Sequence, residues 1–228
     1  NNIISAFNTD LLGRLHVTAD RVTGSNLITV TAGNTSSFEV GDLVLGTGIP
    51  AGSVITAISG NIITISNNAT SNGTGFNFRV WKASTGIRYE TVGIAPNRKL
   101  VVQWSHFCRY STAGGSINDN LNFQIILNET SNVIETSYNF PYASTFASYP
   151  NAQVGLRGAS NADFNNRTST TDWSATTTGT LNSSTIVLSA TVFPSNGLTF
   201  QWTPPSGCSG TPIAGATSGP TGACSGVN

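Results

Sequence analysis

The residues best suited to bind a ligand lie in one polar stretch late in the sequence. They combine charges, side-chain oxygens and an aromatic ring, at Arg157, Asn161, Asp163, Asp172 and Trp173. An exposed ring can stack on a sugar while amide and carboxylate groups bond its hydroxyls. These residues are candidates for a carbohydrate site, on the condition that Trp173 is exposed. The alternative is a hydrogen-bonded loop whose Trp173 packs against the edge of the fold.

Residues that could support catalysis are few and scattered. Glycoside hydrolysis needs two carboxylates that converge in a cleft, and the closest pair in the late loops is Asp163 and Asp172. His106 and Cys108 lie two positions apart on a predicted strand, about 7 Å from each other. That spacing also fits a partly buried imidazole beside a core thiol. We predict a protein that is not an enzyme, unless Asp163 or Asp172 faces another carboxylate across a cleft.

The sequence predicts no cofactor, with calcium as the one metal to consider. Two histidines and no C-x-x-C pair leave no zinc ligand set. The run Asn118, Asp119, Asn120 offers the oxygen ligands that calcium prefers, but it lacks the spaced acidic residues of a dedicated loop. Runs of this type also form simple turns.

Charge is scarce and balanced along the chain. Asp, Glu, Lys and Arg make up 9% of its 228 residues, against about 25% in an average protein, and ten basic residues offset ten acidic ones. Nucleic-acid binding rests on a basic surface, so this composition argues against it. No segment approaches the roughly 20 consecutive apolar residues of a membrane span. A hydrophobic fraction of 38% still provides a core. We predict an extracellular β-protein that does not insert into a membrane.

Alternation of apolar and polar residues predicts strands throughout. Residues 98–110 read as one strand, with these side chains on one face: Leu100, Val102, Trp104, His106 and Cys108. The next strand alternates Leu121, Phe123, Ile125 and Leu127 with Asn122, Gln124 and Asn128. Residues 184–193 and 198–203 read as two strands joined by a tight turn at Asn196 and Gly197. The fold class predicted is all-β, an antiparallel sandwich of jelly-roll, lectin-like or immunoglobulin-like type.

A change in composition predicts an inserted module. Residues 18–79 contain short aliphatic strands punctuated by glycine and almost no aromatic residues. We predict a discontinuous sandwich over residues 1–17 and 80–205, with residues 18–79 as a small β-module inserted into one of its loops. The alternative is one continuous domain that changes composition.

The ends and the last cysteines indicate a segment of a longer polypeptide. The first residues read like the interior of a strand, and residues 206–228 read like a linker to a further domain. Cys208 and Cys224 flank a loop rich in Gly, Pro, Ser and Thr, which predicts a local disulfide in an oxidising compartment. The alternative pairs each of them with a cysteine of a following domain.

The predicted module resembles a small β-module that recurs in bacterial adhesins and phage structural proteins. The resemblance rests on its glycine–aspartate and Gly-Ile-Pro-Ala-Gly turns, within residues 23–30, 40–44 and 46–52. The flanking domain resembles β-sandwiches of secreted surface proteins of Bacteroidetes, adhesins exported by the type IX secretion system. That resemblance rests on residues 87–91, 95–104, 122–130, 154–158 and 193–202, with residues 208–212 similar to a link to an immunoglobulin-like repeat.

These resemblances imply a structural or adhesive segment of a larger cell-surface protein or filament. They imply contact with the secretion machinery, and the family pattern has further strands upstream of residues 1–12. Such strands would come from an upstream piece or a neighbouring chain by strand complementation. Edge strands without charged side chains repel neighbouring strands only weakly. We therefore also expect this chain to associate through its strand edges, with further copies of itself in a homo-polymer or with a neighbouring chain. The alternative function is a carbohydrate-binding module that uses the loops of residues 157–173.

Overall fold

The computed structural model describes residues 2–110, 117–141, 151–189 and 191–204. These residues form strands and no helix, so the all-β prediction is confirmed. The strands in chain order are β1 (Ile3–Ser5), β2 (Leu11–Leu12), β3 (Leu15–Arg21), β4 (Leu27–Ala32), β5 (Leu43–Leu45), β6 (Ile55–Ser59), β7 (Ile62–Ile65), β8 (Gly73–Trp81), β9 (Gly86–Val92), β10 (Lys99–Arg109), β11 (Leu121–Asn128), β12 (Ile134–Asn139), β13 (Gly155–Arg157), β14 (Phe164–Thr168), β15 (Thr177–Thr178) and β16 (Thr199–Trp202). Cys208, Cys224 and the predicted linker of residues 206–228 lie outside the described residues.

Two antiparallel sheets form a sandwich. One has four strands in the order β1-β13-β14-β15, and the other has the order β16-β12-β11-β10, with β9 and β2 both pairing with β10. One buried cluster contains the apolar side chains between them: Ala6, Phe7, Leu121, Phe123, Tyr138, Phe140, Ala152, Val154, Trp173, Ile186, Leu188, Phe200 and Trp202. The inward residues of β11 are those that the alternation predicts.

Residues 15–81 form a separate six-stranded sheet, in the order β5-β8-β3-β4-β7-β6, that is nearly closed. Its two ends meet where Val44 N donates to Ser53 O at 2.9 Å and Ile55 N donates to Asp42 O at 2.9 Å. We call this unit the barrel. Its interior is mostly aliphatic: Leu15, Val17, Ala19, Ile28, Val30, Phe38, Val44, Ile55, Ile63, Ile65, Phe78 and Val80. The module predicted over residues 18–79 falls within these strands, and the division into domains stays a prediction.

A β-bulge interrupts the alternation predicted for residues 98–110. Trp104 pairs with Phe123 and Phe107 with Leu121, so β10 advances by one more residue than β11. Both Trp104 and Phe107 consequently pack against the sandwich core. The prediction that Trp104 and Cys108 share a face is therefore wrong, because the extra residue shifts the alternation in the last part of the strand.

The strand and hairpin predicted over residues 184–203 are wrong in part. Ile186 makes only isolated bridges, to Ala152 and to Ser169, instead of belonging to a strand. Leu198 N donates to Ser195 O at 3.1 Å, so a turn does form. The strand that follows it, β16, pairs with β12. Pairing of β16 with β12 extends the larger sheet, which local turn residues do not reveal.

The barrel and the sandwich contact each other near the end of β10. Asn118 N donates to His16 O at 3.2 Å, and Asn120 Nδ2 donates to Ser37 Oγ at 2.8 Å. Beside these contacts, Asp119 accepts hydrogen bonds from the Arg109 backbone N at 2.9 Å and from its Nε at 2.8 Å. Both side chains are buried. This buried ion pair joins the last residue of β10 to Asp119, two residues before β11 begins.

At the opposite end of β10, Arg98 pairs with Glu129 on the surface. The guanidinium donates to both carboxylate oxygens, at 2.6 and 2.9 Å, and the Arg98 backbone N donates to one of them. These bonds favour the ionised carboxylate and hold the pKa of Glu129 at about 2. The pair is exposed, so its contribution to stability is small. That contribution is present above the unfolded pKa and is lost as the pH falls towards 2.

We expect Arg98→Ala to raise the pKa of Glu129, although the Arg98 backbone N still donates to it and keeps the pKa below its ordinary value. The pH dependence of the NMR chemical shift of the Glu129 carboxyl carbon measures this pKa. Lys99→Ala is the matched control, because Lys99 lies next in sequence and contacts Glu135 instead. A pKa for Glu129 that is equal in both variants would contradict the assignment.

Candidate functional site

The outer face of the larger sandwich sheet carries a row of side-chain amides. Because Trp104 and Phe123 point into the core, the neighbouring positions of β10 and β11 point to solvent. Gln103 lies directly opposite Gln124 in the register of the two strands. These residues border an open cleft of about 550 Å³ together with His106, Asn120 and Asn122. We call it the amide cleft.

Hydrogen bonds between these side chains fix the wall of the amide cleft. Gln124 Nε2 donates to Gln103 Oε1 at 3.2 Å, and Gln103 Nε2 donates to Ser105 Oγ at 2.7 Å. Asn122 Oδ1 accepts from the backbone N of His106 at 3.0 Å, and Asn122 Nδ2 donates to Asn120 Oδ1 at 3.0 Å. The side chains are therefore held in place before any ligand arrives.

His106 is the conformational outlier of the cleft. It sits at the β-bulge with φ 58°, in the left-handed region that a non-glycine residue seldom adopts. Bulges and strained residues of this kind often lie beside functional sites, where they redirect a side chain. Asn120 Oδ1 can only accept, so His106 Nδ1 donates to it at 3.0 Å and Nε2 of the neutral ring is an acceptor. Burial lowers the pKa of His106, so the ring is neutral at neutral pH.

The amide cleft is suited to a neutral, polyhydroxylated ligand. Each Asn or Gln side chain offers donors and an acceptor, as a sugar hydroxyl does. The arrangement can orient hydroxyl groups without an ion pair.

Two of the residues predicted from sequence border a second cleft, of about 570 Å³, at the edge between the two sheets. Arg157 and Asp163 line it beside Leu156, Phe164 and Trp202. Gly158 N donates to Asp163 O at 2.8 Å and Ala159 N donates to Asp163 Oδ2 at 3.2 Å. We call this second site the Arg157 cleft.

Trp173 does not provide the exposed ring that the carbohydrate site requires. Its side chain is 1% exposed, and its Nε1 donates to Val187 O at 2.8 Å. The condition for a carbohydrate site at Trp173 is therefore not met, and the alternative of a packed ring holds, because the ring fills the core between the sheets.

The two remaining predicted residues lie on the surface and outside both clefts. Asp172 accepts hydrogen bonds from the backbone N and Oγ of Ser174, both at 2.8 Å, and these bonds lower its pKa. Asn161 is exposed, and its Oδ1 lies 3.5 Å from Asn182 Nδ2. The structure thus brings together only Arg157 and Asp163 of the predicted set.

The carboxylate considered for calcium is already engaged. Both oxygens of Asp119 accept hydrogen bonds from Arg109, and its side chain is 2% exposed. Within the described residues, no group of three His, Cys, Asp or Glu side chains is placed to hold a metal ion.

The amide cleft was not predicted from the sequence, although the polar residues that form it stand at alternating positions of the predicted strands. The alternation places the polar residues Asn122 and Gln124 on the solvent face of a predicted strand, where polar residues are expected. Their neighbour across the sheet, Gln103, becomes apparent only when β10 and β11 are paired in register. The accumulation of amides on one face of paired strands is the signal that could have identified the cleft.

Comparison with known proteins identifies the family. The family model described as NIDO related matches residues 59–204, more than half of the chain. The chain belongs to the NIDO-related family, whose domains are typically extracellular modules of larger proteins. No curated protein and no solved structure matches the chain. Among the residues that the structure describes, no helix is long and apolar enough to span a membrane.

Proposed function

We propose that this chain is a non-enzymatic adhesive module of a larger extracellular protein, and that it binds neutral glycans in the amide cleft. The observation that carries this proposal is the uncharged row of fixed amides on the solvent face of β10 and β11. Fixed polar side chains lose little conformational entropy on binding, which favours affinity. The extracellular character of the NIDO-related family supports the setting.

The chemistry of the cleft predicts how binding depends on conditions. Its amides and neutral imidazole carry no charge, and Arg88 is the one charged residue among the described residues that line the cleft, so binding of a neutral glycan depends little on ionic strength. Protonation of His106 would convert Nε2 from an acceptor to a donor. Because burial lowers the pKa of His106, this loss of an acceptor occurs only in acid.

The Arg157 cleft is the second candidate site for a carbohydrate. Trp202 and Phe164 line it beside a guanidinium and a carboxylate, a combination that suits a ligand with both a ring face and polar groups. Trp202 is nearly buried and donates its Nε1 to Asn165 O at 3.0 Å, which limits the ring surface that a ligand could contact. The amide cleft is therefore favoured.

A glycan array followed by titration of the best neutral glycan tests the proposal. We expect Gln124→Ala to weaken binding about tenfold, the effect of losing one or two hydrogen bonds to a ligand. Asp163→Ala alters the Arg157 cleft, and Asn161→Ala changes an exposed amide that borders neither cleft. Both should bind as the unchanged chain does, with and without calcium.

Two outcomes would contradict this location of the site. Loss of binding in Asp163→Ala but not in Gln124→Ala would assign the ligand to the Arg157 cleft. Absence of binding to every neutral glycan on the array would leave a structural role for the module and reject the glycan proposal. Thermal unfolding of each variant confirms that the fold is retained.

The proposal extends to the setting that the sequence resemblance implies. We propose a cell-surface location in a bacterium of the Bacteroidetes, with export by the type IX secretion system and a role in an adhesin or filament. Labelling of intact cells with an antibody against the chain, in strains with and without that secretion system, tests this part separately. Surface labelling that is unchanged without the system would contradict it.

A further inference from the structure

β9 forms an edge of the larger sandwich sheet and is exposed along almost its whole length. It pairs with β10 from Gly86 opposite Ser105 to Val92 opposite Lys99. Within the described residues, no strand pairs with its other edge. Six of its seven residues are exposed. An edge of this kind presents a row of backbone donors and acceptors to another strand.

The side chains of β9 are unusually apolar for such an exposed strand. Ile87 is 60% exposed and Tyr89 is 80% exposed, and the two lie on the same face because they are two positions apart. Ile94, just beyond the strand, is 84% exposed. Apolar side chains around an open edge are a mark of an interaction surface.

The geometry points to a second copy of this chain as the partner, with its β9 paired antiparallel to the β9 of the first. A two-fold axis at Tyr89 places Arg88 opposite Glu90 of the second copy, and Ile87 opposite Thr91. In this register all seven residues of β9 are paired. Tyr89 meets its own counterpart on the axis.

The charges of β9 select this register. Arg88 and Glu90 form two opposite-charge pairs across the axis, which favours the pairing. A shift of two residues in either direction places Arg88 opposite Arg88, or Glu90 opposite Glu90, and like charges directly opposite are unfavourable. One Arg88 Nη2–H group donates to Ala83 O at 2.8 Å, which leaves other N–H groups of the guanidinium for Glu90.

The symmetry also fixes the size of the assembly. Both copies use the same edge, so pairing consumes that edge and closes a dimer. The two larger sandwich sheets become one continuous sheet. The low charge of the chain leads us to expect a homo-polymer or a neighbouring chain paired through strand edges. The symmetric pairing of β9 instead limits the assembly to a two-fold dimer.

Sedimentation equilibrium over a concentration series tests the dimer. We expect the unchanged chain to approach twice its 23.7 kDa, and Glu90→Arg and Arg88→Glu each to remain monomeric at the same concentrations. The double variant Arg88→Glu/Glu90→Arg restores both opposite-charge pairs and should restore the dimer. Asp10→Arg makes the same charge change at an exposed site outside β9 and should dimerise normally.

A cysteine experiment checks the register independently. Tyr89→Cys places two thiols directly opposite each other, close enough for a disulfide under mild oxidation. Ile87→Cys separates the two thiols by about 14 Å along the strands and is the control that should not link. A monomeric unchanged chain, a double variant that stays monomeric, or equal linking at both positions would overturn the proposal.

Discussion

Trp173→Ala is expected to lower the free energy of unfolding of the sandwich by about 3–5 kcal/mol, since truncating a buried Trp leaves a cavity and removes its contacts. The ring lies 5.3 Å from that of Tyr138, 6.3 Å from that of Phe200 and 6.5 Å from that of Phe7, measured between centroids. The variant also leaves the partly buried carbonyl of Val187 without its indole donor. Urea denaturation followed by circular dichroism measures the loss.

Leu181→Ala is the control for this experiment. Leu181 lies in a loop of the same sandwich and is 64% exposed, so its truncation should change the free energy of unfolding by less than about 0.5 kcal/mol. A Trp173→Ala variant as stable as Leu181→Ala would place the ring on the surface and reopen the carbohydrate site at residues 157–173. If Trp173→Ala is destabilised as expected, a loss of glycan binding in this variant reflects unfolding and not the loss of a contact with the ligand.

Asp119→Asn is expected to lower the free energy of unfolding by about 3–5 kcal/mol, because it leaves the buried guanidinium of Arg109 without its counter-charge. Nε and Nη2 of Arg109 donate to the two carboxylate oxygens at 2.8 and 3.0 Å, and the exposed fractions of the two side chains are 4% and 2%. Replacement of an ionised carboxylate by an amide keeps the shape and removes the charge. Urea denaturation at neutral pH measures the effect.

A double-mutant cycle separates the ion pair from simple packing. We expect Arg109→Met and Asp119→Leu each to be destabilising, since each removes one member of a buried ion pair. The double variant Arg109→Met/Asp119→Leu should lower the free energy of unfolding by less than the sum of the two single changes. Additive losses would mean that the two side chains stabilise the fold independently. Asp172→Asn, which alters an exposed carboxylate held by Ser174, is the matched control.

Strands with one buried face were predictable from the sequence because the pleat repeats every two residues. β11 is the clearest case, with Leu121 and Phe123 inside and Asn122 and Gln124 outside. The bulge in β10 was not predictable in the same way. At the bulge, the side chains of Asn122 in β11 and of Asn120 just before it bond His106, contacts that the sequence of β10 alone does not reveal.

The candidate site was predicted least well, because burial of a side chain depends on segments distant in the chain. Trp173 is enclosed by Phe7 near the N-terminus and by Phe200 near the end of the described residues. Local composition around Trp173 is polar and indicated a surface loop. The residues that do border clefts, such as Gln103 and Arg157, are brought to them by strand pairing and sheet packing.

The position of the barrel in the chain has a consequence for the order of folding. Its first and last strands pair so that Leu15 lies opposite Val80, and the chain therefore enters and leaves the barrel at one place. The sandwich must bring Ser5 of β1 opposite Gly155 of β13, across most of the chain. Closing so long a loop costs entropy and slows folding. A barrel that has already folded holds residues 15 and 80 together and shortens this loop, which lowers the entropy cost of closing the sandwich.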